Sequence, residues 1–180
     1  MREPNSDDGR SHLSPTTYLY DDEGVPQRRT PLIRRGALVG ALHSTVTATA
    51  TGSSGGSTGN ARRASHKSVP RAAPTSVVLE ATTRRAELLS GLDEAVYLQQ
   101  LSGSGAGINP VTGRVDVGGV GGLLRRGQIV GRIDTVPVAT SLLSFLQSIE
   151  AVADDAYPVP FTSAAGSTVL CDGQLIGSSR

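Results

Sequence analysis

Two stretches of alternating apolar and polar residues predict β-hairpins of one design in this chain of 180 residues. The first has strand-like runs at residues 28–33 and 37–43, joined at Arg34-Arg35-Gly36, where Gly36 can adopt the positive φ that a tight turn needs. Residues 123–130 repeat the pattern of residues 32–39, with Arg-Arg-Gly again at the turn. We therefore expect two hairpins closed by the same kind of turn.

A different period, with apolar residues three and four positions apart, predicts two helices. The clearer helix runs from about Thr140 to Val152, and we expect its apolar face to pack on a sheet. That face comprises Val138, Leu142, Phe145, Leu146, Ile149 and Val152. A shorter helix is capped by Thr82 or Thr83 and stops at Gly91. Its inward-facing residues are Ala86, Leu88 and Leu89. Residues 45–50 fit either a continued strand or a short helix.

Short strands at residues 76–80, 96–101 and 167–176 complete the pattern. Residues 51–60 read as a flexible Gly/Ser-rich loop, and residues 1–16 as a weakly ordered lead-in without apolar periodicity. Dense glycines between positions 103 and 127 predict that strands there are short and bent. The predicted fold class is α+β, predominantly antiparallel β with two short helices.

Composition narrows the class of protein further. The chain has 22 glycines and only 3% aromatic residues, so a modest core must be built from Val, Leu, Ile and Ala. The 17 basic and 16 acidic side chains nearly cancel, which argues against nucleic acid as a partner. A single cysteine excludes an internal disulfide, and no segment has the apolar length of a membrane span or signal peptide. We therefore predict a cytoplasmic protein that does not bind membranes.

No motif in the sequence carries recognisable catalytic chemistry. A phosphate-binding loop requires a lysine after its glycines, but the only lysine is Lys67, outside any such motif. Residues 21–24 form an acidic turn that lacks the later ligands of a calcium loop. The three histidines are dispersed, and alternation places Cys171 on an apolar strand face, where core packing is the simpler interpretation. We expect neither a catalytic residue nor a metal site in this chain.

Several sequence blocks, however, resemble the TldD/PmbA family of metallopeptidase-related proteins. In order, they are Asp21–Leu38, Ser57–Arg63 with its Thr-Gly-Asn, Val69-Pro70-Arg71, Asn109–Gly113, Gly127–Ile129, Asp154-Asp155 and the closing strand Ser167–Gly177. Because independent blocks occur in the family's order, the resemblance is more specific than any single glycine motif. It covers residues 17–180, which we interpret as a domain of the family's C-terminal type without the family's N-terminal half.

The resemblance implies a role in the proteolysis of small or unfolded peptides, as a homo- or hetero-dimer with a TldD-type subunit. Catalytic subunits of the family bind zinc through a His-Glu-x-x-x-His helix and a late cysteine. This chain has no His-Glu pair, and Cys171 lies beyond the family's cysteine position. We therefore expect no cofactor in this chain, and zinc only in a complete catalytic subunit. The resemblance implies peptide or interface contacts at Asp21, Asp22, Glu23, Gly24, Thr58, Gly59, Asn60 and Arg63.

Three functional interpretations follow from these observations. We favour a PmbA-like, non-metal or truncated subunit that supports a TldD-type peptidase. The first alternative is a stand-alone, non-catalytic binding module or gene remnant, and the second is an enzyme that uses Cys171 or His66. Unpaired strand edges lead us to expect that the isolated chain self-associates.

Overall fold

The structure, a computed structural model, describes residues 5–7, 18–103, 107–159 and 162–172. The chain divides into two compact units: the first comprises residues 1–82 and 154–168, and the second comprises residues 83–153 and 169–180. In chain order the elements are β1 (Asn5–Asp7), β2 (Thr30–Arg34), β3 (Ala37–Leu38), α1 (Thr45–Thr51), β4 (Ala61–Arg62), β5 (Arg71–Ala72), β6 (Val77–Leu79), α2 (Arg85–Ser90), β7 (Glu94–Ser102), β8 (Arg114–Arg125), β9 (Gln128–Ser141), α3 (Leu142–Gln147), β10 (Ile149–Val152), β11 (Tyr157–Pro158), β12 (Ala165–Gly166) and β13 (Val169–Cys171).

The predicted fold class is confirmed, because every sheet of the described residues is built from antiparallel neighbours and the helices are short. The described residues form three helices where two were expected. The additional helix is α1, which settles the open choice at residues 45–50. The Ser44 hydroxyl accepts from the Thr47 N–H, the Thr47 hydroxyl accepts from the Ser44 N–H, and Gly52 ends the helix with a φ of 65°.

The first unit contains a four-stranded sheet in the order β3-β2-β1-β6, with β1 antiparallel to both of its neighbours. Residues 5–7 of the predicted lead-in thus form a strand, whereas residues 8–16 lie outside the described residues. The first predicted hairpin is β2–β3, but its second strand ends at Leu38 instead of residue 43. The prediction of a longer strand was wrong because the chain turns away to begin α1 at the Ser44 cap.

The interior of the first unit is mostly polar. Its buried apolar residues, among those described, are only Ala48 and Ala61. Its buried polar residues are Asp21, Gln27, Thr30, Ser44, Thr58, Asn60, Thr75 and Ser76. Because burying a polar group is costly unless it is hydrogen-bonded, most of these side chains are expected to contribute to stability through specific polar contacts.

The second unit contains the three-stranded antiparallel sheet β7-β8-β9 and the separate pair β10–β13. Its buried residues are aliphatic: Val117, Leu124, Val136, Val138, Val152 and Ala153. The prediction of short strands among the glycines was wrong, because β8 has 12 residues and β9 has 14. Glycine is required where main chain approaches closely; a Cβ at Gly121 would meet the Tyr97 carbonyl oxygen and lie 2.9 Å from the Leu98 Cα. The expected bending is present as register shifts on both sides of β8.

Both predicted hairpin turns have the same geometry, as expected from the repeated Arg-Arg-Gly. Arg35 and Gly36 have φ values of 52° and 76°, and Arg126 and Gly127 have values of 47° and 78°. Positive φ at two successive residues is the requirement of a type I′ turn, whose twist matches that of the flanking strands.

The longer predicted helix was wrong in extent. Only Leu142–Gln147 is helical; Val138 belongs to β9, and residues 149–152 form β10. The Ser141 side chain accepts a hydrogen bond from the Ser144 N–H and caps the start of α3. The residues after α3 are extended because β10 pairs with β13. The predicted buried face also fails, because Leu142 and Leu146 are 47% and 41% exposed.

Four further predicted elements are present, with bounds or caps that differ from the prediction. The strands predicted at 76–80 and 96–101 are present as β6 and β7. Helix α2 has Arg84 at its N-cap, so the predicted threonine cap was wrong, and Ala86 is exposed. The closing strand is β13, and the predicted continuation to residue 176 lies outside the described residues.

Candidate functional site

The structure brings together the two segments that contain the predicted contact residues. Residues 21–24 lie beside residues 58–63, and the link is direct because the Asp22 N–H donates to the Ala61 carbonyl over 3.0 Å. Both segments belong to the first unit. We refer to residues 21–24 and 58–63 together as the acidic junction.

Asp21 is the centre of the acidic junction and is only 6% exposed. Its Oδ1 accepts from the N–H groups of Glu23 and Val25, at 2.9 and 2.8 Å, and its Oδ2 accepts from the Ala61 N–H at 3.0 Å. The turn closes through Gly24, which has a φ of 78° and donates to the Asp21 carbonyl. One carboxylate therefore organises its own turn and fixes that turn to β4.

The other two carboxylates of the turn hold different parts of the chain. Asp22 accepts from the Arg63 N–H at 2.7 Å and lies 3.7 Å from the Arg62 guanidinium. Glu23 accepts from the N–H of Thr45, the first residue of α1, at 2.8 Å. The predicted acidic residues thus accept hydrogen bonds from main-chain N–H groups of neighbouring segments. A direct contact between these residues and a peptide stays a prediction.

Thr58, Gly59 and Asn60 lie at the inner side of the junction. The Thr58 hydroxyl accepts from the His43 N–H at 2.8 Å, and the Thr58 N–H donates to the His43 carbonyl at 3.1 Å. Gly59 has a φ of 76°, and a Cβ there would lie 2.5 Å from the Pro26 carbonyl oxygen. Asn60 is 2% exposed, and its carbonyl accepts from the Ala73 N–H. These three residues are sites of close packing.

Two residues that sequence reasoning missed also belong to this region. The Arg28 guanidinium donates to the carbonyls of Gly55 and Ser57, at 2.8 and 3.1 Å, and so fastens the Gly/Ser-rich loop. Gln27 is 3% exposed, and neither atom of its side-chain amide has a hydrogen-bond partner in the described part of the chain. No local signal marks either role, because both depend on segments brought close only by folding.

Cys171 lies apart from the junction, in the second unit. It is half-buried beside a hollow of about 250 Å³ lined by Ser144, Gln147, Ser148, Glu150 and Asp172. Burial raises the pKa of the Cys171 thiol; a hydrogen bond with Ser148 lowers it, and the Glu150 carboxylate raises it. A thiol with a raised pKa is a poor nucleophile and a poor metal ligand near neutral pH.

The described residues also do not fit the zinc ion that the resemblance associates with catalytic subunits. Nowhere among residues 18–103, 107–159 and 162–172 do three or more His, Cys, Asp or Glu side chains form a group suited to a metal ion. His43 is half-buried against Thr58 and His66 is exposed, whereas His12 lies outside the described residues. No helix in the described part of the chain is long and apolar enough to cross a membrane.

This fold and its junction define a domain of the metallopeptidase-related class suggested by the sequence. Residues 6–178 match the family model described as the PmbA/TldA metallopeptidase C-terminal domain, and the chain therefore belongs to that family. It is also 35% identical over 141 residues to a protein of Synechocystis sp. named as a metalloprotease. That match covers 78% of this chain but 30% of the relative, so the chain spans about a third of the relative's length.

Solved structures support the same fold. TldE from Thermococcus kodakarensis superposes with a TM-score of 0.75 at 24% identity, covering 96% of this chain and 38% of TldE. A protein of Thermotoga maritima described as a modulator of a DNA gyrase gives 0.79 at 22% identity, with 97% and 38% covered. A protein of Bacteroides thetaiotaomicron with a similar description gives 0.64 at 17% identity, with 93% and 36% covered.

Proposed function

We propose that this chain acts as the C-terminal, non-metal domain of a TldD/PmbA-type peptidase system and supports the cleavage of small or unfolded peptides. The proposal rests on family membership, since the family model that matches is that of a metallopeptidase C-terminal domain. Hydrolysis itself is assigned to a TldD-type catalytic subunit, because the described residues offer no suitable ligand set for zinc. In this proposal the two chains form a dimer in the cytoplasm.

The edges of the three-stranded sheet suggest how a peptide would be held. Neither β7 nor β9 pairs with a further strand of the described residues on its outer side. The β9 edge has features that oppose pairing: Pro137 lacks an N–H, Arg132 and Asp134 are charged, and the ladder with β8 shifts register twice. The β7 edge has no proline, one register shift and a single charged residue, Glu94, at its start. We therefore assign β7 as the edge that accepts an extended peptide through main-chain hydrogen bonds.

Co-expression with a full-length TldD-type subunit from the same source tests the partnership. Size-exclusion chromatography with light scattering should show a complex of defined stoichiometry. The complex should hydrolyse an unstructured peptide faster than the catalytic subunit alone, and the isolated chain should show no hydrolysis. A chain that stays monomeric beside such a subunit would contradict the proposal and favour the stand-alone binding module.

A matched pair of variants tests the assignment of β7. Leu101 on β7 and Val130 on β9 are 52% and 55% exposed, so a lysine at either position changes the charge of an edge without opening a core. Leu101→Lys should weaken peptide-dependent hydrolysis by the complex, whereas Val130→Lys should leave it unchanged. Equal effects of the two variants, or loss only with Val130→Lys, would refute the assignment.

A further inference from the structure

Basic side chains are concentrated in one part of the chain, although the net charge is only +1. Between residues 24 and 79 there is no carboxylate side chain. The same interval contains eight of the 17 basic residues: Arg28, Arg29, Arg34, Arg35, Arg62, Arg63, Lys67 and Arg71. Half of these lie in the hairpin formed by β4, β5 and the loop between them, residues 61–72, which we call the basic hairpin.

Two cations of the basic hairpin, Lys67 and Arg71, form no ion pair with the described residues. Arg29, for comparison, forms an ion pair with Glu80. Within the basic hairpin, Arg62 is the one side chain that forms an ion pair with a described carboxylate, that of Asp22 at 3.7 Å. Arg71 and Lys67 are exposed and are paired with no carboxylate of the described residues. At Lys67 and Arg71 this surface therefore presents positive charge that the described part of the chain does not neutralise.

The register of the hairpin brings like charges together. Arg62 pairs directly with Arg71 across the two strands, which places their side chains on one face with Cβ atoms about 5 Å apart. Directly opposed like charges destabilise a strand pair. The Arg62 guanidinium is held in place, 3.4 Å from the centre of the Tyr18 ring, so it cannot turn away from Arg71 freely. An anion located between the two arginines would relieve their repulsion.

The loop of the basic hairpin is shaped by its own hydrogen bonds. The Arg63 guanidinium donates to the Ser68 carbonyl at 2.8 Å, and the Ser68 N–H donates to the Ser65 carbonyl at 3.0 Å. The Ser65 and Ser68 hydroxyls are also hydrogen-bonded, at 2.8 Å. Lys67 is thereby carried on a defined turn rather than on a loop without internal contacts. Such pre-organisation lowers the entropic cost of binding an anion.

We propose that the basic hairpin binds the carboxylate groups of acidic peptides, an inference that rests on the proposed function in peptide cleavage. Carboxylates fit this surface better than a nucleic acid does. Duplex binding uses many cations along an extended surface, whereas the basic hairpin offers Arg62 and Arg71 on paired strands, Lys67 on the loop that joins them, and the Asp22 carboxylate beside Arg62. A short acidic peptide needs only two or three ion pairs, and its charges are confined to a similar length.

The test compares two short peptides of equal length, labelled with an uncharged dye, that carry glutamate or glutamine at the same positions. Fluorescence anisotropy with the full 180-residue chain should show about tenfold tighter binding of the glutamate peptide at ~50 mM salt, and less discrimination at ~200 mM. The double variant Lys67→Gln/Arg71→Gln should remove most of this preference. The control Arg84→Gln/Arg126→Gln makes the same charge change at two exposed residues of the second unit and should retain it.

The outcomes separate this proposal from the proposed function. Equal binding of the two peptides, unaffected by the hairpin variants, would overturn the role of the basic hairpin and leave peptide binding intact. Failure of both peptides to bind would overturn both proposals. Tighter binding of a short DNA duplex than of the glutamate peptide would make the hairpin a nucleic-acid site and would also overturn the proposal.

Discussion

Replacing Asp21 by asparagine tests whether one buried carboxylate holds the acidic junction together. The variant keeps an oxygen at Oδ1, which can still accept from Glu23 and Val25, but it places an N–H₂ group where Oδ2 accepts from the Ala61 N–H at 3.0 Å. Two donors then face each other in a site that is 6% exposed. Losing one hydrogen bond to a charged acceptor and leaving a buried N–H unpaired should cost about 2–3 kcal/mol of folding free energy.

Urea unfolding followed by far-ultraviolet circular dichroism measures this loss. The control is Asp134→Asn in the second unit, where the carboxylate is 78% exposed and, among the described residues, forms an ion pair with Arg132 alone. The control should change the free energy of unfolding by less than about 0.5 kcal/mol. If Asp21→Asn were as mild as the control but abolished peptide cleavage by the complex, the structural role would be refuted and the predicted direct peptide contact supported.

Four further substitutions and reactions test separate contacts. Gly59→Ala should destabilise the chain by at least about 2 kcal/mol more than Gly56→Ala, because both have positive φ but only the Cβ at position 59 would meet main-chain atoms; equal melting temperatures would contradict this. Gln27→Met should stabilise the fold by about 1 kcal/mol, since it removes a buried amide that has no hydrogen-bond partner among the described residues. Arg126→Asn should raise the unfolding midpoint, corresponding to about 0.5–1 kcal/mol, by relieving the φ of 47°. The Cys171 thiol should react with iodoacetamide more slowly in the folded chain than in urea at pH 8, and faster as pH rises, because burial raises its pKa; equal rates would refute that shift.

Local signals were sufficient to predict the hairpin turns but not the end of the third helix. The Arg-Arg-Gly turns depend on residues adjacent in sequence, and both were confirmed. The region 142–152 has a helical apolar period throughout, yet residues 149–152 pair with β13, about twenty residues further along the chain. A strand formed with a distant partner can override a local period, and no property of residues 149–152 alone reveals that partner.

The candidate site was accessible from the sequence only as two separate segments. The resemblance pointed to residues 21–24 and 58–63, and folding places them side by side. The individual hydrogen bonds were not predictable, because they join positions about forty residues apart through main-chain N–H groups that every residue carries. The exposure of Lys67 and the pairing of Arg71 with Arg62 were likewise not predictable, since the sequence shows only that their region lacks carboxylates.

The polar interior of the first unit offers a physical reason for a family resemblance that is recognisable although the chain is only 24% and 22% identical to solved structures of the same fold. Aliphatic side chains in a core can exchange for one another with small losses when volume is kept, so they leave a weak pattern. A buried carboxylate that accepts three N–H groups, or a glycine with φ of 76° against a carbonyl, has no equivalent replacement. Asp21, Gly24, Thr58, Gly59 and Asn60 are residues of this kind, and they lie in the blocks that carry the resemblance. Their recognisability therefore follows from how they hold the fold, and peptide contact by the same residues requires the separate evidence that the Asp21→Asn comparison supplies.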